Sequence, residues 1–318
     1  MRQRHNRAYR PVLLFLNWKL IGLPGVILMV SGVVAQATDI EPRSYTNAPI
    51  GLNFLVVGLS RADGGMSLDQ AIPLDDAQLR VQTEVAAFVH VFELGGQSAR
   101  FNVSVPYSSI HGTASYGGQQ VGRDISGVGD SKFQISANFI GAPALSAAEF
   151  PAYAEDFVAG GSIQISAPTG QYDSSKLVNV GTHRWYVKPE VGFTERLGNW
   201  SIEGATGVTV FSTNHDFFGG KQREQDPVYS AQINLVRFFP AGVWAALSGA
   251  WLQGGRTTVN GVLNNDLQQN TRIGVTIAAP INRYNSVKLN YSSGVAVRTG
   301  TDFNVLNLAW QVRWGGGL

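Results

Sequence analysis

Near its end the chain alternates. Leu306, Leu308, Trp310, Val312 and Trp314 fall on one face, and Asn307, Ala309, Gln311 and Arg313 on the other. A period of two marks a strand with one greasy and one wet face. Two tryptophans suit a lipid-facing surface near the membrane–water boundary, and Arg313 suits a watery interior. The same pattern recurs upstream. Leu79, Val81, Val85, Ala87, Val89 and Val91 alternate with Arg80, Gln82, Glu84, Phe88, His90 and Phe92. Further clear cases are Phe101, Val103 and Val105 against Arg100, Asn102 and Ser104, and Ile273, Val275 and Ile277 against Arg272, Gly274 and Thr276. Twelve strand-like segments follow one another from residue 52 to the end.

The connections alternate as well. Turns at 94–97, 197–199, 240–242 and 279–285 are short, and 141–157 takes a fifth such place at greater length. The stretches 61–76, 107–129, 168–183, 212–227 and 253–269 are long and polar, and 295–302 is intermediate. A barrel in an outer membrane has short periplasmic turns and long outer loops. A soluble β-sandwich needs no such sidedness and leaves sheet edges to protect, whereas lipid demands closure. The pattern therefore predicts an all-β fold: a closed antiparallel transmembrane β-barrel of about 12 strands. The outer membrane of a Gram-negative bacterium is the expected location, with outer-membrane lipid around the wall.

Composition agrees. Charged residues make up 14% of the 318 residues and glycine is frequent at 37, both unlike an ordinary soluble domain. Cysteine is absent, which removes disulfides and thiolate chemistry. The first 37 residues read as a signal peptide. Arg2, Arg4, Arg7, Arg10 and Lys19 precede or flank an apolar run from Leu20 to Val34, and Ala35-Gln36-Ala37 is a small-x-small cleavage site. Its removal takes five of the 24 basic residues and none of the 22 acidic ones, so the net charge falls from +2 to −3. Nucleic acid then loses its electrostatic footprint as a partner. Residues 38–49 read as a polar periplasmic lead-in, and 50–318 as the barrel.

The order and spacing of several motifs carry a family resemblance. They are Asn47-Ala48-Pro49-Ile50-Gly51-Leu52-Asn53-Phe54, Val105-Pro106-Tyr107, Gly127-Val128-Gly129-Asp130 and Ala167-Pro168-Thr169-Gly170-Gln171-Tyr172-Asp173. Asn179-Val180-Gly181-Thr182-His183-Arg184-Trp185 and the terminal Trp310-Gln311-Val312-Arg313-Trp314-Gly315-Gly316-Gly317-Leu318 complete the set. The chain resembles the meta-pathway phenol-degradation family of outer-membrane proteins over almost all of its length after the signal. The resemblance implies an outer-membrane barrel with a role in uptake of hydrophobic or aromatic compounds. It supplies no catalytic residues. Trp314 is followed by three glycines and Leu318, so the chain does not end on the aromatic residue usual for such barrels.

No enzyme is predicted. Histidine is scarce, parity turns His90 inward, and no outward strand position carries a histidine for a wall-borne Ser–His pair. No metal-ligand spacing and no cofactor motif is present. Parity places Arg80, Arg100, Lys132, Lys188, Arg272, Lys288 and Arg313 in the lumen against only Glu84, Glu190 and Glu203. Such an excess attracts anions or is spent on structural ion pairs. Phe88, Phe92, Tyr186, Phe211 and Trp244 also point inward by parity, giving an apolar track or packing under folded-in loops. The chain thus reads as a channel or transporter for small hydrophobic or aromatic molecules, extending to anionic aromatic acids. The alternative is a structural or surface-interaction barrel without transport. Oligomeric state is not legible.

Overall fold

A computed structural model describes residues 40–67, 75–116 and 118–318. The expected signal peptide lies outside the described residues. The strands in chain order are β1 Leu52–Ser67, β2 Asp75–Leu94, β3 Gln97–Tyr116, β4 Gln119–Val128, β5 Ser131–Ile140 and β6 Phe157–Ala167. They continue with β7 Tyr186–Leu197, β8 Trp200–Phe211, β9 Asn214–Phe217, β10 Lys221–Gln225, β11 Val228–Phe238 and β12 Trp244–Gly254. The last are β13 Thr257–Val259, β14 Val262–Leu263, β15 Gln268–Pro280, β16 Asn285–Val297 and β17 Gly300–Gly315.

Twelve of these close into an antiparallel barrel. The order around the wall is β2-β1-β17-β16-β15-β12-β11-β8-β7-β6-β5-β3, and β3 pairs back to β2. These correspond to the twelve strand-like segments of the sequence, of which the first, over 52–60, has no clear facing by alternation. The first and last strands meet with Leu52 opposite Gly315 and Ser67 opposite Gly300, so no edge remains there. β3 is shared. Its first half pairs with β5, from Ala99 opposite Ala137 to Ser104 opposite Lys132. Its second half pairs with β4, from Tyr107 opposite Val128 to Tyr116 opposite Gln119. β4 and β5 are therefore two halves of one descending strand, broken at Gly129-Asp130. β14, β13, β10 and β9 form a separate small sheet at the outer end, where the sequence shows only polar loops. Pro189 leaves its mark. The ladder from β7 to β8 runs from Val187 opposite Val210 to Glu190 opposite Gly207 and skips the residues between.

Facing follows the predicted parity on the terminal strand. Leu306, Leu308, Trp310 and Trp314 are exposed on the outer wall, and Ala309, Gln311 and Arg313 are buried inside. β2 reverses the prediction. Val81, Val85, Ala87, Val89 and Val91 are buried, while Arg80 and Glu84 are exposed. The register fixes the sense, because inward Phe54 and Val56 oppose Val89 and Ala87, whereas outward Leu55 opposes Phe88. Arg80, Glu84, Phe88, His90 and Phe92 therefore lie on the outer face and do not line the lumen.

The physical reason is that this side of the lumen is dry. Val89 and Val91 pack with Ala48, Leu52 and Phe54, and Val81 packs with Ala62, Ile110, Val180 and Phe303. On the outer face, the Phe88 ring meets Trp314 at 6.2 Å and His90 stacks on Phe92 at 6.3 Å, an aromatic girdle by the periplasmic turn. At ~3.3 Å per residue, Glu84 and Arg80 sit roughly 26 and 40 Å along the strand from Phe92. With a strand tilt of about 35–45° these are roughly 20 and 30 Å of height, so Glu84 lies in the outer part of an apolar band of about 25 Å and Arg80 clears it. There Arg80 and Arg61 both donate to Asp63, at 2.7 and 2.6 Å. His90 gains no catalytic setting by facing out, since its Nδ1 lies 2.9 Å from Asn53 Oδ1 rather than against a hydroxyl.

Candidate functional site

Residues 40–51 do not hang below the barrel as a periplasmic lead-in. They run inside it. Ile40, Arg43, Tyr45, Thr46, Asn47 and Ala48 are all buried. The segment is held by side chains from β3, β7, β8 and β11. Glu203 on β8 accepts the Arg43 N–H at 2.6 Å, and Gln232 on β11 accepts the Glu41 N–H at 3.2 Å. The Tyr45 hydroxyl donates to Glu190 on β7 at 3.0 Å. Arg100 on β3 donates to the carbonyls of Ser44 and Thr46. Asn47 donates to Pro143 O at 3.0 Å, and Ile50 N–H to Leu145 O at 2.9 Å, which ties the segment to the long periplasmic turn.

Small residues make room for it. Gly160 on β6 and Gly192 on β7 are cross-strand partners on the inner face, and a Cβ on either would run into the Tyr45 ring. Gly274 on β15 has Ile40 Cδ1 3.1 Å from where its Cβ would be. The Arg43 guanidinium lies 5.2 Å above the Phe238 ring and 5.7 Å from that of Trp244, a cation over two aromatic faces. These inward glycines were the legible sign that something occupies the lumen, but without a partner in view a glycine in a strand reads as a bend.

The predicted inward residues divide into groups. Arg100, Glu203 and Glu190 hold the segment, and Lys188 pairs with Glu190 at 2.8 Å. Trp244 packs beneath Arg43, with Val236, Ala246 and Ala278 around it. Lys288 is buried beside them, on the strand position opposite Ala278. Arg313 donates to Arg283 O at 2.8 Å and braces a periplasmic turn. Towards the outer end, Arg272 donates to Ser292 Oγ at 3.1 Å and Phe303 O at 2.8 Å. Tyr186 donates to Gln164 and meets Phe211 edge-on at 6.1 Å, with the Arg184 guanidinium 4.4 Å from the same Phe211 ring. Lys132 is half-buried on β5, just after the break where β4 ends.

The loop between β6 and β7 folds in at the outer end and is fastened there. Asp130 is buried and its carboxylate accepts Gly170 N–H and Thr182 N–H, each at 2.9 Å, and the Thr182 hydroxyl at 2.6 Å. Gly170 and Gly181 approach so closely that a Cβ on either would meet the other's backbone at 2.7 Å. Tyr172 stacks on His183 at 4.6 Å, and Asn214 of the outer sheet donates to Thr182 O and Tyr172 Oη, both at 3.2 Å. The loop's Val180 then packs with Val81, Ile110 and Phe303 inside the mouth. Three motifs separated in sequence thus meet in one knot.

That knot makes a testable statement. A hydrogen bond to a charged group contributes about 1.5–3 kcal/mol, and 1.4 kcal/mol is tenfold in an equilibrium. Asp130→Ala removes the acceptor for three donors, so the loop opens at least about tenfold more often even if only one bond counts in full. Trypsin cleavage after the exposed Lys176 should accelerate accordingly while heat-modifiable migration of the barrel persists. An unchanged cleavage rate would show that the knot does not hold the loop.

Solved structures share the fold. An outer membrane channel from Pseudomonas putida F1 superposes with a TM-score of 0.73 at 22% identity, covering 87% of this chain and 100% of that one. The β domain of the Bordetella autotransporter BrkA follows at 0.52 and 11% identity, covering 83% and 100%. The transport unit of the Escherichia coli autotransporter AIDA-I gives 0.54 and 8%, covering 88% and 94%. At these identities they establish the closed β-barrel fold and no more. No curated protein sequence matches the chain. The family described as "Putative MetA-pathway of phenol degradation" matches residues 60–310, from β1 to β17, and the chain belongs to that family.

Proposed function

We propose that the protein is an outer-membrane channel for small hydrophobic and aromatic molecules, aromatic acids among them, closed at rest by its own segment 40–51. One observation carries this. The periplasmic half of the lumen holds, besides inward side chains of the wall, a chain segment fastened to them through hydrogen bonds. A barrel that needed only a core could fill it from its strands, as small barrels do. A detachable filling suits a passage. The inner wall supports the cargo class. Phe54, Val56, Val81, Val85, Ala87 and Val89 form a dry side, and Arg100, Lys188, Glu190, Glu203, Arg272 and Lys288 a charged one. Apolar walls with few placed polar groups are what small organic ligands use. The P. putida F1 protein is itself described as an outer membrane channel, and the family description names phenol degradation, both in keeping with this reading.

The test is growth. A Gram-negative host stripped of its own general porins and given a benzoate-degrading pathway should grow faster on limiting benzoate when it carries this barrel. Growth on glycerol should not change. Equal growth on benzoate with and without the protein would favour a structural barrel instead.

A further inference from the structure

Lys288 is the least explained residue of the lumen. Its side chain is 1% exposed, and its Nζ has no hydrogen-bond partner among the described residues. Trp244, fully buried, likewise leaves its Nε1–H without an acceptor among the described residues. The two are close in the wall, since Trp244 opposes Ala278 on β15, and Ala278 opposes Lys288 on β16. Both project inward. Donors left unmet in a buried place are costly, and a buried cation the more so. The charged groups acting on Lys288 are Glu41 and Arg43, both from the segment that fills the lumen. Beside the two donors lies an apolar surface made by Val236, Phe238, Ala246 and Ala278, on which Arg43 now rests.

We infer that this part of the wall is a binding site for an aromatic carboxylate, which competes with Arg43 and so loosens the segment. The inference rests on the channel reading above and names its cargo. The carboxylate oxygens would accept from Lys288 Nζ and Trp244 Nε1, both donors and neither an acceptor. The ring would take the place of the Arg43 guanidinium on Phe238 and Trp244, as one flat group replacing another. An aromatic acid meets both needs at once. A neutral aromatic meets only the second, and an inorganic oxyanion only the first. In the plugged state Lys288 faces the Glu41 and Arg43 charges but donates to no described acceptor, and this ligand supplies one. Differential binding of that kind is what a ligand needs in order to shift one state towards the other.

The absence of cysteine makes a clean test. Thr46→Cys puts a single thiol in the buried segment, where a maleimide reaches it only when the segment moves. Benzoate should raise the labelling rate of the refolded full-length barrel at least threefold, saturably. Benzyl alcohol or sulfate at the same concentration should not. Lys288→Gln should abolish the benzoate response, and Lys288→Arg should keep it, with heat-modifiable migration confirming that each variant is folded. Acceleration by benzyl alcohol equal to that by benzoate, acceleration by sulfate alone, a response that survives Lys288→Gln, or no response in the parent would each overturn the site. The growth test above does not depend on Lys288, so loss of the site there leaves the channel reading standing.

Discussion

Deleting residues 40–49 should turn a barrel that conducts rarely into one that conducts steadily. The segment supplies Ile40, Tyr45 and Ala48 as filling and Arg43 as a cover over Phe238 and Trp244. Without it, Glu203, Glu190 and Arg100 lose partners, but they face a space that water then enters. A charge that water can reach is not stranded, so the wall should survive the loss. Its ladders are continuous from β1 round to β17 and owe nothing to the segment. Single-channel recording in planar bilayers reads the result. Ion conductance several-fold above the parent is expected, with few closures. A folded deletion variant that conducts no better than the parent would mean that the outer loop, not the segment, closes the lumen.

The second large effect lies on the lipid face. Val275→Arg places a charge at an exposed outward position near the middle of β15. Near the bilayer midplane such a change costs about 2–4 kcal/mol. Val262 in the small outer sheet is just as exposed, at 65% against 54%, yet stands in water. Val262→Arg should therefore change stability by less than about 0.5 kcal/mol, as surface substitutions do. Urea titration of refolding into lipid vesicles compares the two. Equal losses would mean that β15 does not cross the apolar band where its outward face implies.

How much of this the sequence shows depends on the solvent each face meets. Alternation marks most of the wall strands, because each separates two unlike faces, but β1 reads as a strand of ambiguous facing, since Phe54 and Val56 inside and Leu55, Val57 and Leu59 outside are all apolar. Alternation assigns the faces correctly on β17, where Gln311 and Arg313 look inward and Trp310 and Trp314 outward. On β2 the same rule reverses the sides. It assumes a wet lumen, and here Val89 and Val91 meet Phe54 and Ala48, and Ala87 meets Val56 and Ala309, instead. The phenylalanines opposite belong to the girdle. Residues 40–51 have no period at all, so nothing local reveals that Arg43 and Tyr45 sit on side chains more than a hundred residues away. The short strands of the outer sheet escape for a related reason. β9, β10, β13 and β14 run for only two to five residues, too few to show alternation. The motifs of the outer knot are legible as strings, but their meeting at Asp130 is a fact of the fold alone.

The most direct test is the initial rate at which intact cells take up labelled benzoate, compared among three strains in a porin-poor host. One carries the parent, one the variant lacking residues 40–49, and one no barrel. A channel closed by its own segment predicts uptake fastest in the deletion strain, slower with the parent and slowest with neither. Equal uptake by the parent and barrel-free strains, or a deletion strain no faster than the parent, would contradict it.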